Sequence, residues 1–204
     1  MMENKIARGI SYIFHPLLIP SYTLLLLLNL DIFVAHPVPL SYQRILVSIV
    51  FLTTFFIPLV LTWFLYRLGL ITSFFIVNRE ERIYPIMAIS VFYYITYYLL
   101  RGAHISTIFC YFMLGATLLS ILSLIINFYR KISLHMIGAG SVTGLFLGLS
   151  LNFGINFTRM IVAGIILAGL IGYARLKLNS HQPAEIYSGF AMGVATMTLL
   201  ILLL

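Results

Sequence analysis

The chain has 204 residues, of which 62% are hydrophobic and 8% charged, with a net charge of +7 and a mean hydropathy of +1.08. A soluble domain is about a quarter charged, so this composition excludes a water-soluble globular enzyme and points to a chain solvated by lipid. The positive charges are dispersed rather than gathered in a stripe. That excludes a nucleic-acid-binding face and leaves anionic headgroups or an anionic substrate as partners.

Hydropathy predicts an all-α, polytopic transmembrane helix bundle of about six to seven spans, forming a single integral membrane domain over residues 1–204. Helices are required because an unclosed sheet in lipid leaves its backbone polar groups unsatisfied. The N-terminal MMENKIARGISYIF sets Lys5 and Arg8 ahead of an apolar run, as a signal peptide does. No small-residue cleavage site follows, so a retained first span is expected over about residues 10–33, kinked at His15-Pro16 and Pro20. The second span is predicted at about 45–66, the third at 86–100 and the fourth at 105–127, the last two joined tightly at Arg101-Gly102. The fifth covers about 133–151, the sixth 159–173 and the seventh 187–204. In the fifth, Gly140, Gly144 and Gly148 recur every four residues, and Gly189 and Gly193 do so in the seventh, a spacing that lets helix backbones approach closely in lipid. The start of the fifth helix is therefore expected close to the connection at 174–186. Cys110 sits inside an apolar run with no second cysteine to pair with.

Alternation of sides gathers the polar chemistry. With the N-terminus on one side, the connections at 67–85, 128–132 and 174–186 share that side. They carry Arg67, Arg79, Glu80, Glu81, Arg82, Arg130, Lys131, Arg175, Lys177, His181 and Glu185, whereas Asp31, His36, Arg44, Arg101, His104 and Arg159 fall opposite. The excess of Lys and Arg predicts a cytoplasmic location for the first side.

In the third connection, ARLKLNSHQPAEIYSG, Pro183 suits the first turn of a new helix and Glu185 would lie in that turn, where the helix dipole favours an anion. His181 precedes Glu185 by four, so the carboxylate can hold one imidazole nitrogen and fix the tautomer, a base-plus-orienter arrangement. Read alone, the pair also suits an interfacial histidine and a helix-terminal glutamate. In the second connection, Ser133 is a plausible N-cap, Arg130 and Lys131 flank a helix N-terminus able to bind phosphate, and His135 is near enough for proton transfer. These too suit simple interfacial anchoring. In the first, NREERIYP, one helical turn would present Arg79 and Arg82 to the same ligand, or Glu80 and Glu81 would neutralise them. Together, two histidines, a carboxylate and several cations on one face are what phosphoryl transfer to histidine requires: cations on the phosphoryl oxygens, one imidazole attacking, another protonating the leaving oxygen.

These segments resemble, in order and spacing, the type 2 phosphatidic acid phosphatase and haloperoxidase superfamily. That family carries Lys, six residues, Arg-Pro; then Pro-Ser-Gly-His; then Ser-Arg, five residues, His, three residues, Asp. Arg175, His181 and Glu185 reproduce the third spacing, with Ala174 for serine and Glu185 for aspartate. Ile132-Ser133-Leu134-His135 keeps the serine and histidine of the second without its proline and glycine. The stretch from Arg79 to Pro85 is a loose form of the first, with no lysine at the expected distance. The motifs cover about residues 79–189 and define a motif-bearing core of about 79–204.

The resemblance implies an integral membrane lipid phosphatase, acting on phosphatidic acid, phosphatidylglycerophosphate, polyprenyl diphosphate or lipid A, with no metal or cofactor. His181 would be the phosphorylated nucleophile, Glu185 its orienter and His135 the general acid. Arg82, Arg175 and Ser133 would hold the phosphate, with Lys131 and Arg79 standing in for the missing lysine. The expected setting is a bacterial cytoplasmic membrane, and many relatives place this site on its outer face, against the charge count above. Leu134 in place of glycine narrows the expected phosphate pocket. A catalytically inactive member that binds or transports a lipid, and a phosphotransferase passing the group to another alcohol, are the alternatives. His15, His36 and His104 match no motif and are read as structural. Tyr93, Tyr94, Tyr97 and Tyr98 are assigned to helix contacts or an interfacial belt.

Overall fold

The computed structural model describes residues 2–30, 39–72, 78–103 and 107–204. His36 and His104 lie outside the described residues, as does Asp31. Among the described residues the structure is all-α with no strand, and seven helical segments are long and apolar enough to cross a membrane. The chain is a multi-pass membrane protein. It divides into two compact units, Met1–Ile19 with Ile125–Leu204, and Pro20–Leu124.

The elements are α1 (Met2–Ile13), α2 (Ile19–Asn29), α3 (Leu40–Phe51), α4 (Ile57–Arg67), α5 (Ile83–Gly102), α6 (Thr107–Asn127), α7 (Leu134–Phe153), α8 (Thr158–Lys177) and α9 (Pro183–Leu202). The unit boundaries fall inside α2 and α6. In the unit Pro20–Leu124, α3 and α4 are joined by a π-helical stretch, Leu52–Phe56. Pro58 has no N–H to return to the carbonyl four residues back, and the Ile57 N–H reaches Leu52 instead. Thr54 bonds back to Val50, and Thr96 of α5 donates to Thr53 at 2.8 Å. On α5, Tyr93 is buried while Tyr94 and Tyr98 are exposed, so the tyrosines divide between helix packing and the outer surface.

The other unit contains α1, α7, α8 and α9, and its centre is the contact between α7 and α9. Gly140, Gly144 and Gly193 lie against backbone of the facing helix: Gly140 on Phe190 and Val194, Gly144 on Val194, Gly193 on Ile137 and Ser141. Thr198 also donates to the Gly144 carbonyl at 3.1 Å, and Asn152 to the Ile201 carbonyl at 3.1 Å. The seam continues to the beginning of α7: a Cβ on Gly189 would stand 2.9 Å from the Ser133 carbonyl oxygen, and the Ser133 N–H donates to the Glu185 carbonyl at 3.3 Å. The small-residue spacing thus brings the beginning of α7 against the beginning of α9. Gly140→Ala is expected to force the seam apart and cost about 1–3 kcal/mol. Gly169→Ala, whose new methyl meets nothing within 4 Å, is expected to cost nothing. Unfolding in mixed micelles compares the two.

Three expected boundaries move. The first helical segment starts at Met2 rather than near residue 10, and α1 packs on α8 with an ion pair between Glu3 and Lys177. The kink at His15-Pro16 is a full break. A 3-10 turn, Pro16–Leu18, follows it, and Pro20 is absorbed into the first turn of α2, where its missing N–H costs little. The sixth helix continues to Lys177, so Arg175 and Lys177 ride on its last turn instead of in a loop. Their apolar stems and the C-terminal dipole both favour that placement.

Candidate active site

The turn from α8 into α9 is closed by its own backbone. Asn179 has φ +50°, a left-handed conformation that asparagine adopts more readily than most residues. The Ser180 N–H returns to the Arg175 carbonyl at 3.1 Å and the Asn179 N–H to Leu176 at 2.9 Å, the paired bonds of a Schellman ending. One residue later the chain reaches His181. Gln182 is extended as the N-cap, and Pro183 opens α9.

Glu185, on the first turn of α9, holds His181. The distance from His181 Nδ1 to Glu185 Oε2 is 2.6 Å, with the imidazole 5% exposed and the carboxylate 20% exposed. A carboxylate only accepts, so Nδ1 carries the proton and Nε2 the lone pair. The same Oε2 accepts the Gln182 N–H at 3.3 Å. Glu185 therefore caps its helix and orients the histidine with one oxygen, and the helix start fixes where that oxygen stands.

His135 lies on the first turn of α7, and its Nε2 is 3.1 Å from the Ser11 carbonyl of α1. A carbonyl also only accepts, so His135 carries its proton on Nε2 and its lone pair on Nδ1. His135 lies within electrostatic reach of Arg175, His15 and His181. From the last turn of α8, Arg175 extends Nη1 to the Ser11 hydroxyl at 3.5 Å. The His15 ring stands edge-on to His135, with centroids 5.7 Å apart and planes at 78°. Ser133 is the N-cap of α7 by position, but its hydroxyl does not cap. It is fully buried, and among the described residues Oγ finds no hydrogen-bond partner. Lys131 is half-buried just before it.

One compact unit thus carries His135, His181, Glu185, Arg175, Ser133 and Lys131. Arg79 and Arg82 belong to the unit Pro20–Leu124. There the Arg82 N–H closes on the Arg79 carbonyl at 3.2 Å, forming the single turn that opens α5. The Glu81 carboxylate is taken up by the Thr72 N–H at 2.7 Å and by Asn78 at 2.8 Å. The structure brings Ser11 and His15 into contact with this cluster, where the sequence analysis gave Ser11 no place and read His15 as structural. The available signal was position, since His15 falls near the beginning of the first span, on the side that carries the motifs. Among the described residues, no cluster of His, Cys, Asp or Glu could hold a metal ion. Chemically, the arrangement offers an oriented imidazole lone pair, a second imidazole fixed by a backbone carbonyl, and a guanidinium beside it. No family model, curated protein or solved structure matches the chain.

Proposed function

We propose that this membrane protein is a lipid phosphatase that works through a phosphohistidine at His181. The observation that carries this reading is the 2.6 Å contact between His181 Nδ1 and Glu185, which leaves the Nε2 lone pair as the nucleophile. Nε2 attacks phosphorus, forming a P–N bond while the P–O bond to the lipid alcohol breaks and its electron pair leaves on oxygen. The His135 imidazolium gives that oxygen a proton, so the lipid departs as an alcohol, or as a monophosphate when a diphosphate is cut. Water then attacks phosphorus, His135 takes its proton, the P–N bond breaks, and inorganic phosphate leaves. Arg175 stabilises the equatorial oxygens. Lys131 adds a further cation to that phosphate site, in the manner that the resemblance to the type 2 phosphatidic acid phosphatases implies.

The position of the histidines at the ends of membrane-length helices supports a lipid substrate, whose headgroup would meet polar side chains while its acyl or prenyl tail stays in the bilayer. We assign the protein to a bacterial cytoplasmic membrane on the same reading. Purified protein in nanodiscs is expected to release phosphate from at least one of phosphatidic acid, phosphatidylglycerophosphate and a polyprenyl diphosphate, without added metal. No release across that panel, by wild-type protein that still binds these lipids, would favour a second reading: a headgroup-binding protein without chemistry. The buried Ser133 hydroxyl, without a hydrogen-bond partner among the described residues, supports that alternative, because it is not exposed to receive a phosphate oxygen.

A further inference from the structure

The N-terminal segment occupies a place in this site that no motif assigns to it. Ser11, in the last turn of α1, is buried and makes two contacts with motif residues. Its carbonyl accepts from His135 Nε2 at 3.1 Å, and its hydroxyl accepts from Arg175 Nη1 at 3.5 Å. The helix then stops at Ile13, and the chain turns at His15. His15 Nδ1 accepts the Leu17 N–H at 3.4 Å, so the ring that meets His135 edge-on is itself fixed in one tautomer. The turn is held from below as well, since Ile19 packs against α7 at Gly138, where an added Cβ would stand 3.1 Å from its Cγ1.

We propose that Ser11 and His15 are positioning residues of the acid–base apparatus, with the Ser11 carbonyl and the His15 ring together aiming Nδ1 of His135 at the reacting oxygen. The logic parallels that of Glu185 on His181. A general acid must present its proton within a few tenths of an ångström of one direction, and a free imidazole on χ1 and χ2 does not hold that direction. For His181 the holding group is a carboxylate on the first turn of α9, the helix that follows it. For His135 it is a backbone carbonyl, which keeps Nε2 protonated in both charge states of the ring, so that only Nδ1 gains and loses the transferred proton. His15 blocks the rotation that would break this bond. The proposal rests on the phosphatase reading for the step it serves. The geometry it asserts is independent of that reading.

The test separates the ring of His15 from its role as a turn cap. His15→Asn keeps a side-chain acceptor for the Leu17 N–H and removes the ring. His15→Phe restores a ring against His135 and removes the acceptor. His15→Asn is expected to lower kcat for phosphate release by about tenfold to a hundredfold, with KM changed by less than about threefold. His15→Phe is expected to recover most of that loss. In parallel, isotope-labelled histidine spectra of the protein in nanodiscs, with the His135 signal assigned by its absence in His135→Ala, are expected to show the Nε2–H tautomer in the wild type and a tautomer mixture in His15→Asn. An unchanged kcat in His15→Asn, a fall that His15→Phe does not recover, or an unaltered tautomer in His15→Asn would each overturn the proposal. If the wild-type protein releases no phosphate from any lipid, the functional reading falls, and the tautomer comparison alone decides whether this segment positions His135.

Discussion

Glu185→Gln is expected to slow phosphate release by roughly 10²–10⁴-fold while leaving the protein as stable as the wild type. The two halves of that expectation come from the two jobs of one oxygen. Glu185 Oε2 accepts from the Gln182 N–H at 3.3 Å, a capping contact that a glutamine carbonyl can reproduce. It also faces His181 Nδ1 at 2.6 Å, and there the charge matters. When Nε2 attacks phosphorus, the ring becomes positive, and a carboxylate stabilises that charge where an amide does not. Glutamine can moreover turn its NH₂ toward Nδ1, which favours the tautomer whose Nε2 is protonated and cannot attack. Glu185→Ala should lose the cap as well, at about 1 kcal/mol of stability. Steady-state kinetics beside thermal unfolding in nanodiscs separate the two contributions. A Gln variant that is slow only because it is unfolded would remove Glu185 from the chemistry.

The second large effect concerns His135 and depends on the substrate. His135→Ala is expected to slow hydrolysis of an alkyl phosphate, such as phosphatidic acid, by roughly 10²–10⁴-fold, the usual contribution of a general acid. The same variant should still release phenolate in a near wild-type first-turnover burst from an aryl phosphate, because that oxygen departs without a proton, and only the later hydrolysis of the phosphohistidine should be slow. Comparing the two substrates in one variant isolates proton donation from binding. If His135→Ala slows the first turnover of both equally, the residue serves the phosphate and not the leaving group.

Much of this arrangement was legible in the sequence, for identifiable reasons. Membrane-length apolar runs fix helices with little ambiguity, and the four-residue glycine spacing of Gly140, Gly144 and Gly148 correctly brought the start of α7 toward the start of α9. Pro183 marked the opening of α9, and the separation of four put Glu185 within reach of His181. What failed was mostly the treatment of charge as a boundary. Hydropathy stops a span where Arg175 begins, but a long side chain can stay helical while its head reaches water, so α8 continues to Lys177. The same bias hid α1, whose Glu3, Lys5 and Arg8 dilute the apolar signal of a helix that starts at Met2. His15 is read as structural from the sequence because it matches no motif. Its ring contact is with a residue 120 positions away in sequence, which nothing in its own neighbourhood encodes. The burial of Ser133 was equally out of reach, because it follows from how closely Gly189 admits the facing backbone.

The central claim is that phosphorus passes through His181. Brief reaction with a phosphate-labelled lipid, quenched in alkali, tests it most directly. The account predicts a label on the protein that is stable in alkali and lost in acid, as a phosphoramidate is, mapping to His181 and absent in His181→Ala. That variant should also lose at least about 10⁴-fold in turnover. Phosphate release that continues in His181→Ala, or a wild-type protein that turns over without ever carrying the label on that histidine, would contradict it.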